Sequence, residues 1–82
     1  MKDKQKELYN YTKGKFEGEL KKISPDCVSP IIAVRQVVKK AIARYIKDNC
    51  SIGVKPIDVF SHEDFQDVSN KICNEIMNNE LD

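Results

Sequence analysis

The stretch AVRQVVKKAIARYIKDN, residues 33–49, decides how this chain folds. It sets five cations and one acid on a segment otherwise rich in Val, Ile and Ala. At about 100° per residue, Ile31, Val34, Val37, Val38, Ala41, Ile42 and Tyr45 form one continuous face, which Ile32 and Ile46 widen on one flank. That arc exceeds half the circumference, whereas an ordinary surface helix buries a narrower stripe. The pattern therefore predicts a central helix with partners on two sides. Ser29 stands at the N-cap position, Pro30 suits the first helical position, and Asn49 with Gly53 offers an exit, which gives a helix over 30–49.

Working outward, Ser61 begins the next signal. SHED places Asp64 three residues on, as in a capping box with Asp in place of Glu, and Glu63 and Asp64 suit the positive end of a helix. Phe65, Val68, Ile72, Cys73 and Ile76 follow at helical spacing, so a helix is expected over 61–79, fraying at NNELD. Between these helices, CSIGVKPIDVF is too apolar for a free loop. Its Ile52, Val54, Ile57, Val59 and Phe60 predict an ordered strap against the core, with one helical turn at Pro56–Phe60.

Upstream, Leu8, Tyr9, Thr12, Phe16, Leu20 and Ile23 share one helical face and predict a helix from about residue 4 to residue 22. Gly14 and Gly18 oppose it, each costing about 1 kcal/mol relative to Ala. The alternative is a β-hairpin over residues 8–20 turning at Lys13-Gly14. The helix is favoured because the 3.6-residue period runs through to Ile23 without a change of register. Tyr11 lies off its apolar face, and both glycines lie on the polar back. SPDCVSP, with a proline near each end, makes a stiff turn before the central helix. The expected fold is all-α: one small helical domain over residues 1–82, a three-helix bundle with an ordered strap before the last helix. The hairpin would make it α+β.

Composition supports a folded chain. Ile, Leu, Val and Phe supply 22 of 82 residues, above the level of about 20% below which a highly charged chain tends to disorder. Nine Ile and seven Val against three Leu make the core β-branched in character. The net charge of +1 conceals a division: residues 1–55 hold 13 Lys/Arg against 6 Asp/Glu, and residues 56–82 hold one Lys against 7 Asp/Glu. Mutual neutralisation on folding is the simplest use of such an arrangement. The N-terminus lacks an apolar signal region and no run is long enough to span a bilayer, so a cytoplasmic location without a membrane partner is expected. Lys outnumbers Arg 12 to 2 and Ile and Asn are frequent, a composition suggestive of an AT-rich bacterial or mobile-element genome.

The residues offer little catalytic chemistry. His62 is the single histidine, and Cys27, Cys50 and Cys73 are an odd set spaced 23 residues apart. Zinc sites usually draw on close pairs such as C-x₂₋₄-C, which hold two ligands with little loss of chain entropy, and no such pair exists. Nucleophile elbows and phosphate-cradling glycine loops are missing from the sequence. No enzyme, metal or cofactor is expected; His62 is read as exposed in a first helical turn and the cysteines as core or boundary residues.

Two surfaces remain as candidates. Gln36, Lys40, Arg44 and Lys47 lie together on the back of the central helix beside Ala33 and Ala43, an assortment able to read base edges and phosphates in a groove. Arg35 and Lys39 lie instead on the Ile32/Ile46 flank. Asp58, Glu63, Asp64, Asp67 and Glu75 form an expected acidic partner face. The reading favoured by these residues is a non-enzymatic binding or regulatory protein that docks on another protein through this polarity. Self-association of basic on acidic faces is a particular case, and DNA or RNA binding by the central helix is the alternative.

Overall fold

A computed structural model describes residues 2–50 and 53–79. It contains α1 (Asp3–Lys15), α2 (Glu17–Lys21), α3 (Pro30–Asn49), α4 (Pro56–Val59) and α5 (His62–Met77). The fold is all-α, a small helical bundle. Residues 8–20, where a hairpin was the alternative, are helical apart from a break at Phe16.

α3 is central: α1 and α5 pack against it and against each other, and α4 and α2 also touch it. Its buried residues Val34, Val37, Val38, Ala41 and Ile42 come from the arc that the sequence singles out. Val34, Val37, Val38 and Ile42 join Leu8, Leu20, Phe60, Val68, Ile72 and Ile76 in one cluster. Pro30 opens α3 as expected, although the Ser29 hydroxyl makes no capping hydrogen bond. The fixed φ of the proline starts the helix without it.

The expected helix over 4–22 is two helices. Thr12 Oγ1 donates to the Leu8 carbonyl at 2.7 Å, a back-bond that tends to bend helices, and the flanking Gly14 and Gly18 resist bending little. In a straight helix Leu8 and Leu20 would sit about 120° apart. Re-aimed at Phe16, both are fully buried. Tyr11 also finds its place: its hydroxyl donates to Asp48 Oδ2 at 3.0 Å, and its ring meets the Tyr45 ring edge-on at 5.3 Å.

The strap is ordered where described. Pro56 starts the single turn of α4, Phe60 is buried, and Lys4 Nζ donates to the Val59 carbonyl at 3.0 Å, tying the strap to α1. Gly53 adopts φ 92°, a left-handed conformation that L side chains rarely take, and so supplies the exit turn after α3. Ile52 of the strap, and the end of NNELD beyond Asn79, lie outside the described residues. α5 begins with the expected capping box: Ser61 Oγ accepts from the Asp64 N–H at 3.1 Å, and Asp64 Oδ2 accepts from the Ser61 N–H at 3.0 Å.

Candidate functional site

The back of α3 is an exposed row. Gln36, Lys40, Arg44 and Lys47 all face solvent there, yet the row is not purely basic. Glu19 of α2 reaches Lys40 at 3.1 Å, and Asp48 reaches Arg44 Nε at 3.1 Å. Hydrogen bonds from Tyr11 and then Arg44 hold the Asp48 carboxyl below its ordinary range, so it is a carboxylate at neutral pH. Exposed pairs of this kind contribute little energy, but the carboxylates stay beside the cations and would oppose an approaching phosphate.

The five expected acidic residues do not form one face. Asp58 and Glu63 are exposed, Glu63 lying 3.7 Å from Lys2. Asp67 is exposed and accepts from Gln5 Nε2 at 3.0 Å. Asp64 is the correction: it is only 7% exposed, because its oxygens cap α5 and accept from buried Gln5. Burial opposes its ionisation, but hydrogen bonds from the Ser61 backbone, Gln5 and the Ser61 hydroxyl outweigh that and lower its pKa. Glu75 is likewise turned inward, accepting from Tyr9 at 2.6 Å with Lys13 at 3.7 Å and Lys71 at 4.0 Å. The expected neutralisation between the basic and acidic segments is present in the Lys2–Glu63 and Lys13–Glu75 pairs.

Not among the surfaces expected from the sequence is a groove of about 680 Å³ between α3, α4 and the start of α5. Ile42, Pro56, Ile57, Phe60 and Phe65 make its apolar lining; Arg35 and Lys39 stand on the α3 side, and His62 and Gln66 on the α5 side. Ile57 remains 60% exposed, and Ile32, on the same flank of α3, remains 54% exposed. Arg35 and Lys39 form no ion pair among the described residues. Lys39 Nζ lies 6.0 Å from the centre of the Phe65 ring, and the His62 and Gln66 side chains meet at 2.9 Å. A signal for this groove was present in the width of the α3 arc: it offers more apolar surface than the bundle covers, and Ile32 with the groove edge is the remainder.

The cysteines are free. Cys50 and Cys73 are half-buried, as boundary residues, whereas Cys27 is exposed in the turn before α3. No three of the described His, Cys, Asp and Glu residues gather where they could hold a metal ion, and no described helix is long and apolar enough to cross a membrane. Comparison with protein-family models, curated proteins and solved structures gives no match.

Proposed function

We propose that this chain is a small, non-enzymatic docking protein of the cytoplasm whose groove between α3, α4 and α5 receives an apolar, acidic segment of another protein. One observation carries this reading: an open apolar groove with two cations on its rim that have no carboxylate partner among the described residues. Apolar side chains entering the groove would supply binding energy, and acids on Arg35 and Lys39 would steer the approach and reject basic partners. The groove lies in the size range of small-molecule sites, roughly 300–1,000 Å³. Its polar groups, however, are long exposed side chains rather than buried, convergent donors and acceptors. Nucleic-acid binding through Gln36, Lys40, Arg44 and Lys47 is the second reading, weakened by Glu19 and Asp48 standing among those cations.

The test is a capture from the source cell's lysate, treated with nuclease, by wild-type chain and two charge-reversed variants. A protein held by the wild type and by K40E/R44E/K47E but released by R35E/K39E is the expected result. Capture that vanishes with nuclease, or that depends on the back row and not on the groove rim, would overturn the reading.

A further inference from the structure

We infer that the groove's occupant is an amphipathic α-helix of a partner protein, bearing two carboxylates one turn apart beside its apolar stripe. This rests on the docking reading above and deepens it. Helices line most of the groove, α3 on one side and α4 with the first turns of α5 on the other, and Phe60 and Ser61 link α4 to α5. No strand edge exists among the described residues to pair with an extended segment. A strand laid on Ile42, Ile57 and Phe65 would bury backbone N–H and C=O groups with no partner, which is costly. A polyproline segment has no internal hydrogen bonds either, so its carbonyls would depend on the side-chain donors of the lining, Arg35, Lys39, Ser61, His62 and Gln66. A helix satisfies its own backbone and presents only side chains, the mode by which amphipathic helices enter apolar grooves.

The cations set the charge pattern. Arg35 and Lys39 are four residues apart on α3, so their backbones are separated by about 6 Å along its axis. Two acids at i and i+4 on an accompanying helix have the same rise, and each meets one cation. Ile32 lies almost directly over Lys39 on the helical wheel, two turns toward the N-terminus, and its exposed side chain prolongs the apolar track beyond Arg35. From Ile32 to Ala43 the track spans about 16 Å, three turns of a partner. Among the described residues of a second copy, acids four apart on a helix occur at Asp3/Glu7 of α1 and Glu63/Asp67 of α5, and the apolar side of each helix is already spent in the core, on Leu8 in α1 and on Val68, Ile72 and Ile76 in α5.

The experiment pans a display library of random peptides of about 15 residues, long enough for a helix to hold, against the full chain. The enriched peptides are then synthesised and titrated while the nuclear magnetic resonance signals of the chain are followed. Helical peptides are expected, with apolar residues at i, i+3 or i+4 and i+7 and two acids four apart. They should shift Ile57 and Phe65, bind R35E/K39E at least tenfold more weakly, and recover that affinity when their two acids become lysines. Because both substituted residues are exposed, circular dichroism should show R35E/K39E folded; Ile57→Ser, which leaves the rim charges intact, provides a second weakened groove. Peptides that shift Ile57 and Phe65 and bind R35E/K39E more weakly but are extended overturn the helix and leave the docking reading standing, whereas peptides insensitive to R35E/K39E overturn both. Concentration-dependent shifts of those residues without peptide would replace the partner helix with a second copy. Failure to enrich any groove-binding peptide, or shifts confined to Gln36, Lys40, Arg44 and Lys47, overturns both.

Discussion

The side-chain amide of Gln5 sits 3.0 Å from Oδ1 of Asp64 and 3.0 Å from Oδ2 of Asp67, so that one buried residue of α1 joins two carboxylates of α5. The remaining Asp64 oxygen closes the capping box with Ser61. Asp64 thus starts α5 and fastens it to α1. Asp64→Ala removes the cap, about 1 kcal/mol, and one of the two charge-assisted bonds of the Gln5 amide, about 1.5 kcal/mol or more, while the bond to Asp67 remains. A loss of about 2–3 kcal/mol in urea unfolding is expected; a change within 0.5 kcal/mol, the usual range for a surface site, would contradict the dual role. Because the folded pKa lies below the ordinary 3.8, this stability is present above that value and is lost as pH falls through the folded one. Asp64→Asn should therefore flatten the acid limb of the stability–pH curve.

The capping box was legible in SHED because its two residues are three apart. The Gln5 contact was not, since its partner lies 59 residues away and nothing local distinguishes Gln5 from the other polar residues of α1. The same division runs through the fold. The α3 arc, the α5 spacing and the strap turn are periodic or local signals and correspond to observed elements. The break at Phe16 arises from Thr12 bonding back to Leu8 and from what burial of Leu20 requires, and periodicity alone reads through it. The candidate surfaces were legible only as helix faces. Arg44 and Asp48 are four apart on α3, a local pair, but which side of α3 retains an uncompensated charge also depends on where Glu19 and the α4 turn arrive, and that is tertiary information.

Ser69 is fully buried in α5, and its hydroxyl has no hydrogen-bond partner among the described residues. The folded state therefore carries the desolvation of that group without compensation, a cost of about 1–3 kcal/mol. Ser69→Ala keeps the shape nearly intact and removes the polar atom. A gain of about 1 kcal/mol in denaturant unfolding is expected; a loss of similar size would show that the hydroxyl is in fact hydrogen-bonded.

Ile72 and Val28 mark the two extremes of apolar residues in this chain, 0% and 100% exposed. Ile72 packs where α5 meets the core, and Ile72→Ala leaves a cavity the helices can only partly close, costing about 2–5 kcal/mol. Val28 lies in the turn before α3, and Val28→Ser should change stability by no more than about 0.5 kcal/mol. Thermal unfolding followed by circular dichroism compares them directly; equal effects would mean the core is wrongly placed.

The Tyr45 hydroxyl donates to the Glu7 carboxylate, tying α3 to α1. That hydrogen bond first, and burial second, push the phenol up from 10.0 to about 12. Stability from this tie is present below pH 10, where the phenol is protonated in both states, and is lost as pH rises through about 12. Glu7→Gln should bring the phenol back toward 10.0, which an ultraviolet titration of the tyrosines resolves. An unshifted titration in the variant would assign the perturbation to burial alone.

The back of α3 provides the last test, because Lys40 and Arg44 are cations with acids already beside them. If phosphates could displace Glu19 and Asp48, engaging three to five of them would make log affinity fall with log salt at a slope of about −3 to −4. With carboxylates fixed within the row, we expect no mobility shift of DNA or RNA at physiological salt. The K40Q/R44Q/K47Q variant should melt at an unchanged temperature, since its three side chains are exposed and contribute nothing to the core. A salt-sensitive shift that this variant abolishes would move the function from the groove to the back of α3. The Glu19→Gln chain would then be expected to bind more tightly still, because the substitution removes the carboxylate nearest Lys40.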